Sequence, residues 1–219
     1  MNFAQFKGQF QDRPYILSRD IIRSAENPQT VRNQLTRWQK KGLIIALRRG
    51  LYVLNKNDRK VDVDRNYMAN VLYGPSYVSL EYALNFYDLI PEKVMDITSV
   101  TTRKTAHFNN EFGDFIYQHI KAEAFRGFKR TGEGRDLFFM AEPEKAVVDF
   151  LYLNLGRFKA DARQLLEHSY RFQNIEDLNK RRLAELARLF HNKKLTRVVK
   201  DLCRWISEES HDRSHQTTV

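Results

Sequence analysis

Between residues 29 and 41 the chain places Gln29, Thr30, Arg32, Asn33, Thr36, Arg37, Lys40 and Lys41, with no acidic residue among them. Such a set recognises rather than catalyses. Gln and Asn pair with the edge of adenine, Arg pairs with guanine, and Thr and Lys donate to phosphate oxygens. Arg48 and Arg49 follow beside Gly50 and add two guanidinium groups suited to a phosphate backbone. These ten side chains are the candidate DNA-binding set.

Their spacing asks for a helix and a hairpin. At about 100° per residue, Val31, Leu35 and Trp38 form one narrow apolar stripe. Gln29, Asn33, Thr36 and Lys40 fall on the opposite face, with Arg32 and Arg37 on its flanks. Asn27 is a good N-cap, Pro28 suits the first helical position, and Gly42 is a natural C′ residue, so the helix is expected from Pro28 to about Lys41. Phe3, Phe6 and Phe10 recur at helical spacing before it, and Ser18 can cap a short helix carrying Ile21 and Ile22. After it, residues 44–48 and 51–54 are apolar and β-prone, joined at Gly50, with Arg48 and Arg49 at the tip. Three short helices and a basic-tipped hairpin predict a winged helix-turn-helix over residues 1–58, with its third helix in the major groove. The same fold could serve protein contacts, with its polar face merely solvated.

The charge distribution favours the nucleic-acid reading. The chain has 219 residues and a formal net charge of +10. Residues 1–60 carry 13 Lys+Arg against 4 Asp+Glu, residues 61–150 carry 10 against 14, and residues 151–219 carry 14 against 9. Most of the surplus therefore sits in the first quarter, as expected of a polyanion-binding module joined to a part with another task. Hydrophobic content of 42% is enough for a real core. One cysteine excludes an internal disulfide and a four-cysteine zinc module. No apolar run approaches membrane-spanning length and residues 1–10 are too polar for a signal peptide, so a cytoplasmic protein is expected.

Residues 59–219 are expected to form a mixed α/β domain ending in helices, giving an α+β chain overall. Residues 55–63 are polar and form the candidate linker. A helix is expected over 77–87, strands over 94–101, 113–120 and 137–140, and a helix opened by Glu142-Pro143-Glu144. Beyond Gly156 two apolar repeats, Leu178-Leu183-Leu186-Phe190 and Leu195-Val198-Leu202-Ile206, predict basic helices and a frayed polar tail.

No catalytic residue, metal site or cofactor is expected. Glu142, Glu144 and Asp149 could form an acid/base or metal cluster, but helix-dipole and solvation roles explain them. Gly132 and Gly134 lack the Gly-Lys-Ser/Thr of a phosphate loop. Cys203 lies in an apolar stripe and is expected to be buried and inert. His211 and His215 have i,i+4 spacing without a third ligand. Lys180, Arg181, Arg182, Arg188, Lys193, Lys194, Arg197, Lys200 and Arg204 form either a solvated face or a second anionic contact, to flanking DNA or to RNA.

The segment Leu47-Arg48-Arg49-Gly50-Leu51-Tyr52-Val53 behind a three-helix unit resembles the N-terminal domain of AbiEi-family antitoxins of bacterial type IV toxin–antitoxin systems. Tyr77-Val78-Ser79-Leu80-Glu81-Tyr82-Ala83-Leu84 is similar to that family's tyrosine/serine-led helix. Ala141-Glu142-Pro143-Glu144-Lys145-Ala146-Val147-Val148-Asp149 is similar to its Pro-Glu-Lys-Ala…Asp signature. The resemblance runs in order through most of residues 15–155. It implies an autorepressor acting on inverted repeats in its own promoter. It also implies an abortive-infection antitoxin that opposes a nucleotidyltransferase toxin without a tight complex. A ligand-responsive winged-helix regulator without antitoxin activity is the alternative, and a nuclease or nucleotidyl enzyme with a winged-helix accessory is the third.

Overall fold

The computed structural model describes residues 1–23, 25–158 and 162–216; the side chains of Arg135, Ala162 and residues 210–216 are outside that description. The chain is mixed α+β. Its N-terminal part runs α1 (Phe3–Phe10), β1 (Ile16–Leu17), α2 (Ser18–Arg23), α3 (Pro28–Lys40), β2 (Ile44–Arg48) and β3 (Leu51–Leu54). A capping box starts α1: Asn2 accepts from the Gln5 amide, and the Gln5 side chain accepts from the Asn2 amide. The strands form an antiparallel sheet in the order β1-β3-β2. Gly50 turns the hairpin at φ +81, and its carbonyl accepts from the Ser18 amide at 3.0 Å. A side chain there would be strained by that φ and would approach Ser18 Oγ to 3.2 Å. The hairpin turn and the start of α2 are thus one joint.

Residues 55–63 have no helix or strand, as the polar composition suggests, yet they are tied down. Lys7 pairs with Asp58 at 2.7 Å, and the Lys60 amide donates to the Gln11 carbonyl at 2.8 Å.

The remainder follows as α4 (Arg65–Leu72), β4 (Ser76–Val78), α5 (Leu80–Phe86), β5 (Ile97–Thr101), β6 (Ala106–Asn110), β7 (Gly113–His119), β8 (Phe128–Thr131), β9 (Phe138–Ala141), α6 (Pro143–Leu153), the single turn α7 (Ala162–Gln164), α8 (Lys180–Arg188) and α9 (Lys193–Gln216). Six strands make one mixed sheet in the order β6-β7-β5-β4-β9-β8, with β5/β7 and β4/β9 parallel. The expected helix over 77–87 divides: Tyr77 and Val78 belong to β4, and helix begins only at Leu80, whose φ is +60. The polar tail is helical to Gln216 rather than frayed from residue 210, and His211 and His215 lie outside the described side chains.

Two apolar clusters meet at the hairpin. Phe6, Phe10, Ile16, Ile21, Val31, Leu35, Trp38, Ile44 and Leu54 pack together at the N-terminal end. Leu47, Leu51 and Val53, from the same hairpin, instead join the large core beneath the six-stranded sheet. The hairpin thus belongs to both clusters. Among the described residues no helix is long and apolar enough to cross a membrane.

Candidate nucleic-acid interface

The face of α3 opposite its apolar stripe is open. Val31, Leu35 and Trp38 are buried, while Gln29, Thr30, Arg32, Asn33, Thr36, Arg37, Lys40 and Lys41 are all exposed. Asn27 caps the helix by accepting from the amides of Gln29 at 3.0 Å and Thr30 at 3.2 Å. This cap fixes the first turn, where the two amide side chains stand. Gln29 Nε2 donates to Asn33 Oδ1 at 3.0 Å, and Arg32 Nη1 donates to Gln29 Oε1 at 3.4 Å. Arg32, Gln29 and Asn33 are therefore held as a surface row. Arg37, Lys40 and Lys41 have no acidic partner within salt-bridge distance among the described residues, so their charge is available to an anion. Thr36 is less free: its hydroxyl donates to the Arg32 carbonyl at 2.9 Å, leaving acceptor lone pairs facing outward.

The hairpin tip departs from expectation. Arg49 is exposed, but Arg48 is half-buried and turned inward. Its Nε donates to the Leu72 carbonyl at 2.6 Å, and its Nη1 donates to the Arg49 carbonyl at 3.1 Å. The cause is a register shift in β2 between Ala46 and Arg48, which breaks strict alternation and re-aims the side chain. Beside it, Asn110 Nδ2 donates to the Leu47 carbonyl at 3.3 Å. Arg48 thus anchors the hairpin to the end of α4, and Arg49 is exposed at the tip with no acidic partner within salt-bridge distance among the described residues.

The three acids of the Pro-Glu-Lys-Ala segment do not come together. Glu142 accepts from Arg182 at 2.8 Å and Glu144 accepts from the Asn179 amide at 2.9 Å, both tying the start of α6 to the start of α8. Asp149, one turn further along the buried face, is in direct contact with the ammonium of Lys145; both side chains are fully buried. Tyr77 donates to Asp149 Oδ2 at 2.8 Å and Ser79 donates to the same oxygen at 2.9 Å. Burial pushes the Asp149 carboxyl above the usual carboxylate range, against the pull of Lys145, Tyr77 and Ser79. Burial likewise lowers the Lys145 ammonium, against Asp149. Lys145 also stands 4.6 Å from the centre of the Phe190 ring. Its role escapes the sequence reading, although the i,i+4 spacing to Asp149 inside an apolar helix was the available signal.

Cys203 is half-buried rather than in the core, and burial raises its thiol above the ordinary value. Among the described residues no group of His, Cys, Asp and Glu is placed to hold a metal ion. A cleft of about 640 Å³ opens between α5, β5 and the end of α6, lined by Glu81, Val94, Asp96, Thr98, Gln118 and Leu153 among others. The chain matches no family model, and no curated protein matches it.

Proposed function

We propose that residues 1–58 form a winged helix-turn-helix that reads duplex DNA with α3 in the major groove. In this reading the chain is a sequence-specific autorepressor, and the antitoxin of a type IV toxin–antitoxin system that opposes a nucleotidyltransferase toxin. The observation that carries the DNA reading is the outer face of α3: exposed, acid-free, and ordered by the Asn27 cap into an Arg32–Gln29–Asn33 row. The helix order and the hairpin packed beside it suit that docking. Arg49 would reach the flanking backbone while Arg48 holds the hairpin in place. The antitoxin half rests on the motif resemblance. Its support here is that the two signature segments meet in one network, Tyr77 and Ser79 on Asp149.

The ligand-responsive alternative is favoured by the cleft beside α5, which is large enough for a small molecule. Operator affinity that depends on a small molecule would mark that reading.

The two kinds of contact on α3 predict different defects, measured by gel-shift titration on the DNA upstream of the chain's own gene. Arg32→Ala or Asn33→Ala is expected to cost about 1–3 kcal/mol on that DNA and to narrow its advantage over unrelated duplex. Lys40→Ala is expected to weaken both duplexes alike and to reduce the salt slope by about 1. Full discrimination by the Asn33 variant would remove α3 from the groove.

A further inference from the structure

The cleft beside α5 is one half of a two-part concavity. Thr98 of β5 pairs in register with Ile116 of β7, so both side chains point from the same face of the sheet and form the floor. Glu81 of α5, Leu153 at the end of α6, and Val94 and Asp96 before β5 join them in the lining. Glu81 and Val94 also line a smaller recess of about 250 Å³, together with Ile90, Phe150 and Tyr170. The rings of Phe150 and Tyr170 meet edge to face there, 4.8 Å apart. Glu81 thus stands between a polar cleft and an aromatic-lined recess.

Few of the polar groups in this concavity are committed elsewhere. The Thr98 hydroxyl is one, donating to the Ser79 carbonyl at 2.7 Å and accepting from the Tyr82 amide at 3.0 Å. The Tyr170 hydroxyl is another, since it accepts from Arg157 at 3.3 Å, which leaves its ring as apolar wall. Of three carboxylates in the two linings, Glu92 is taken: Arg171 Nε donates to its Oε1 at 2.7 Å. Glu81 and Asp96 have no basic partner within salt-bridge distance among the described residues. Lys93, the cation of the larger lining, is exposed and pairs with neither.

We propose that this concavity binds a small organic cation, an ammonium group on a short apolar or aromatic body, with the ammonium at Glu81 and the body in the recess. Volume and chemistry select that class. A dry apolar cavity of roughly 150 Å³ already takes a benzene ring, so the recess has room for one ring or a short alkyl chain. An ammonium between Glu81 and the rings of Phe150 and Tyr170 gains a charge-assisted hydrogen bond and a cation–π contact. An anion there would meet Glu81 with no basic side chain in the recess lining to offset it. Among the described residues Glu81 and Asp96 belong to no group placed to hold a metal ion, so the cation is an organic one. The site rests on the ligand-responsive reading for its use, but not for its binding. Arg65 Nη2 donates at 2.8 Å to the carbonyl of Met95, a residue of the cleft lining. Arg65 opens α4, and Leu72 at the other end of that helix holds Arg48 of the hairpin. One helix therefore joins the cleft to the N-terminal part.

The test uses the full chain and isothermal titration calorimetry with 2-phenylethylamine. Beside it, 2-phenylethanol and phenylacetate keep the ring and replace the ammonium by a neutral and an anionic group. The amine is expected to bind with a Kd below about 1 mM, and the alcohol and the acid at least about tenfold more weakly. Glu81→Gln, close in size to the parent residue and checked for fold by circular dichroism, is expected to lose about tenfold for the amine. Asp96→Asn, at an exposed position, should lose only about twofold. No binding of the amine, equal binding of the alcohol or the acid, or undiminished affinity in Glu81→Gln would overturn the proposal. Gel shifts on the DNA upstream of the chain's own gene, with and without saturating amine, are read separately. A change in DNA affinity that Glu81→Gln abolishes would support the ligand-responsive reading. Amine binding with unchanged DNA affinity would sustain the site while refuting that reading.

Discussion

Replacing Lys145 by Met is expected to cost about 3–5 kcal/mol of unfolding free energy at neutral pH, because it strands a carboxylate that the fold has removed from water. Asp149 is fully buried and receives hydrogen bonds from Tyr77 and Ser79 besides its contact with Lys145. Two neutral donors remain in the variant, but the compensating charge does not. The loss has a pH signature. Burial already holds the Asp149 carboxyl above the ordinary range, and without the ammonium it would rise further. Between the unfolded value and that raised folded value, the folded chain holds a proton that the unfolded chain has released. Stability of the variant therefore falls as pH rises through this window, so its deficit against the parent is smaller near pH 5 than at pH 7. Urea unfolding at several pH values reads both effects. Lys145→Met/Asp149→Leu should recover part of the loss, with Tyr77 and Ser79 still lacking their acceptor. A deficit below about 1 kcal/mol would mean that the pair contributes nothing beyond its volume.

The second large effect belongs to the other cluster. Trp38 is buried in the N-terminal cluster, with its ring 4.6 Å from Phe6 and 5.6 Å from Phe3. Trp38→Ala is expected to cost about 3–5 kcal/mol through lost burial and the cavity left behind. The damage should be local. Trp38 lies in the smaller cluster, whereas the six-stranded sheet packs on the larger one, and the two meet at the hairpin. Hydrogen exchange is expected to lose protection over residues 3–54 before the sheet, accompanied by loss of sequence-specific DNA binding. Uniform loss of protection over the whole chain would make the two clusters a single cooperative unit.

These two sites differ in how plainly the sequence announces them. The helix carrying Trp38 is bounded by Asn27-Pro28 and Gly42, local signals whose chemistry works without tertiary help, and its apolar stripe follows from spacing alone. Gly50 marks the hairpin in the same way. Lys145 is the reverse case. A lysine beside Glu144 looks like part of a solvated helical surface, and only the packing of α5, α6 and α8 turns it inward. Arg48 is hidden for a related reason, since the irregularity in β2 that redirects it has no sequence marker. Tyr77 and Val78 look helical because Leu80, Ala83, Leu84 and Tyr87 extend a helical spacing behind them; the break at Leu80 is a backbone conformation that a leucine seldom adopts. The short strands β1, β6 and β8 lack a run of β-prone residues long enough to see. Tertiary pairing supplies what their own residues do not.

Whether the outer face of α3 reads DNA sequence is decided by selection from a randomised duplex pool. The parent chain is expected to enrich one motif, and Arg32→Ala/Asn33→Ala, folded like the parent, is expected to enrich a degenerate version or none. Recovery of the same motif by both chains, or of no motif by the parent, would mean that Arg32 and Asn33 do not read base sequence.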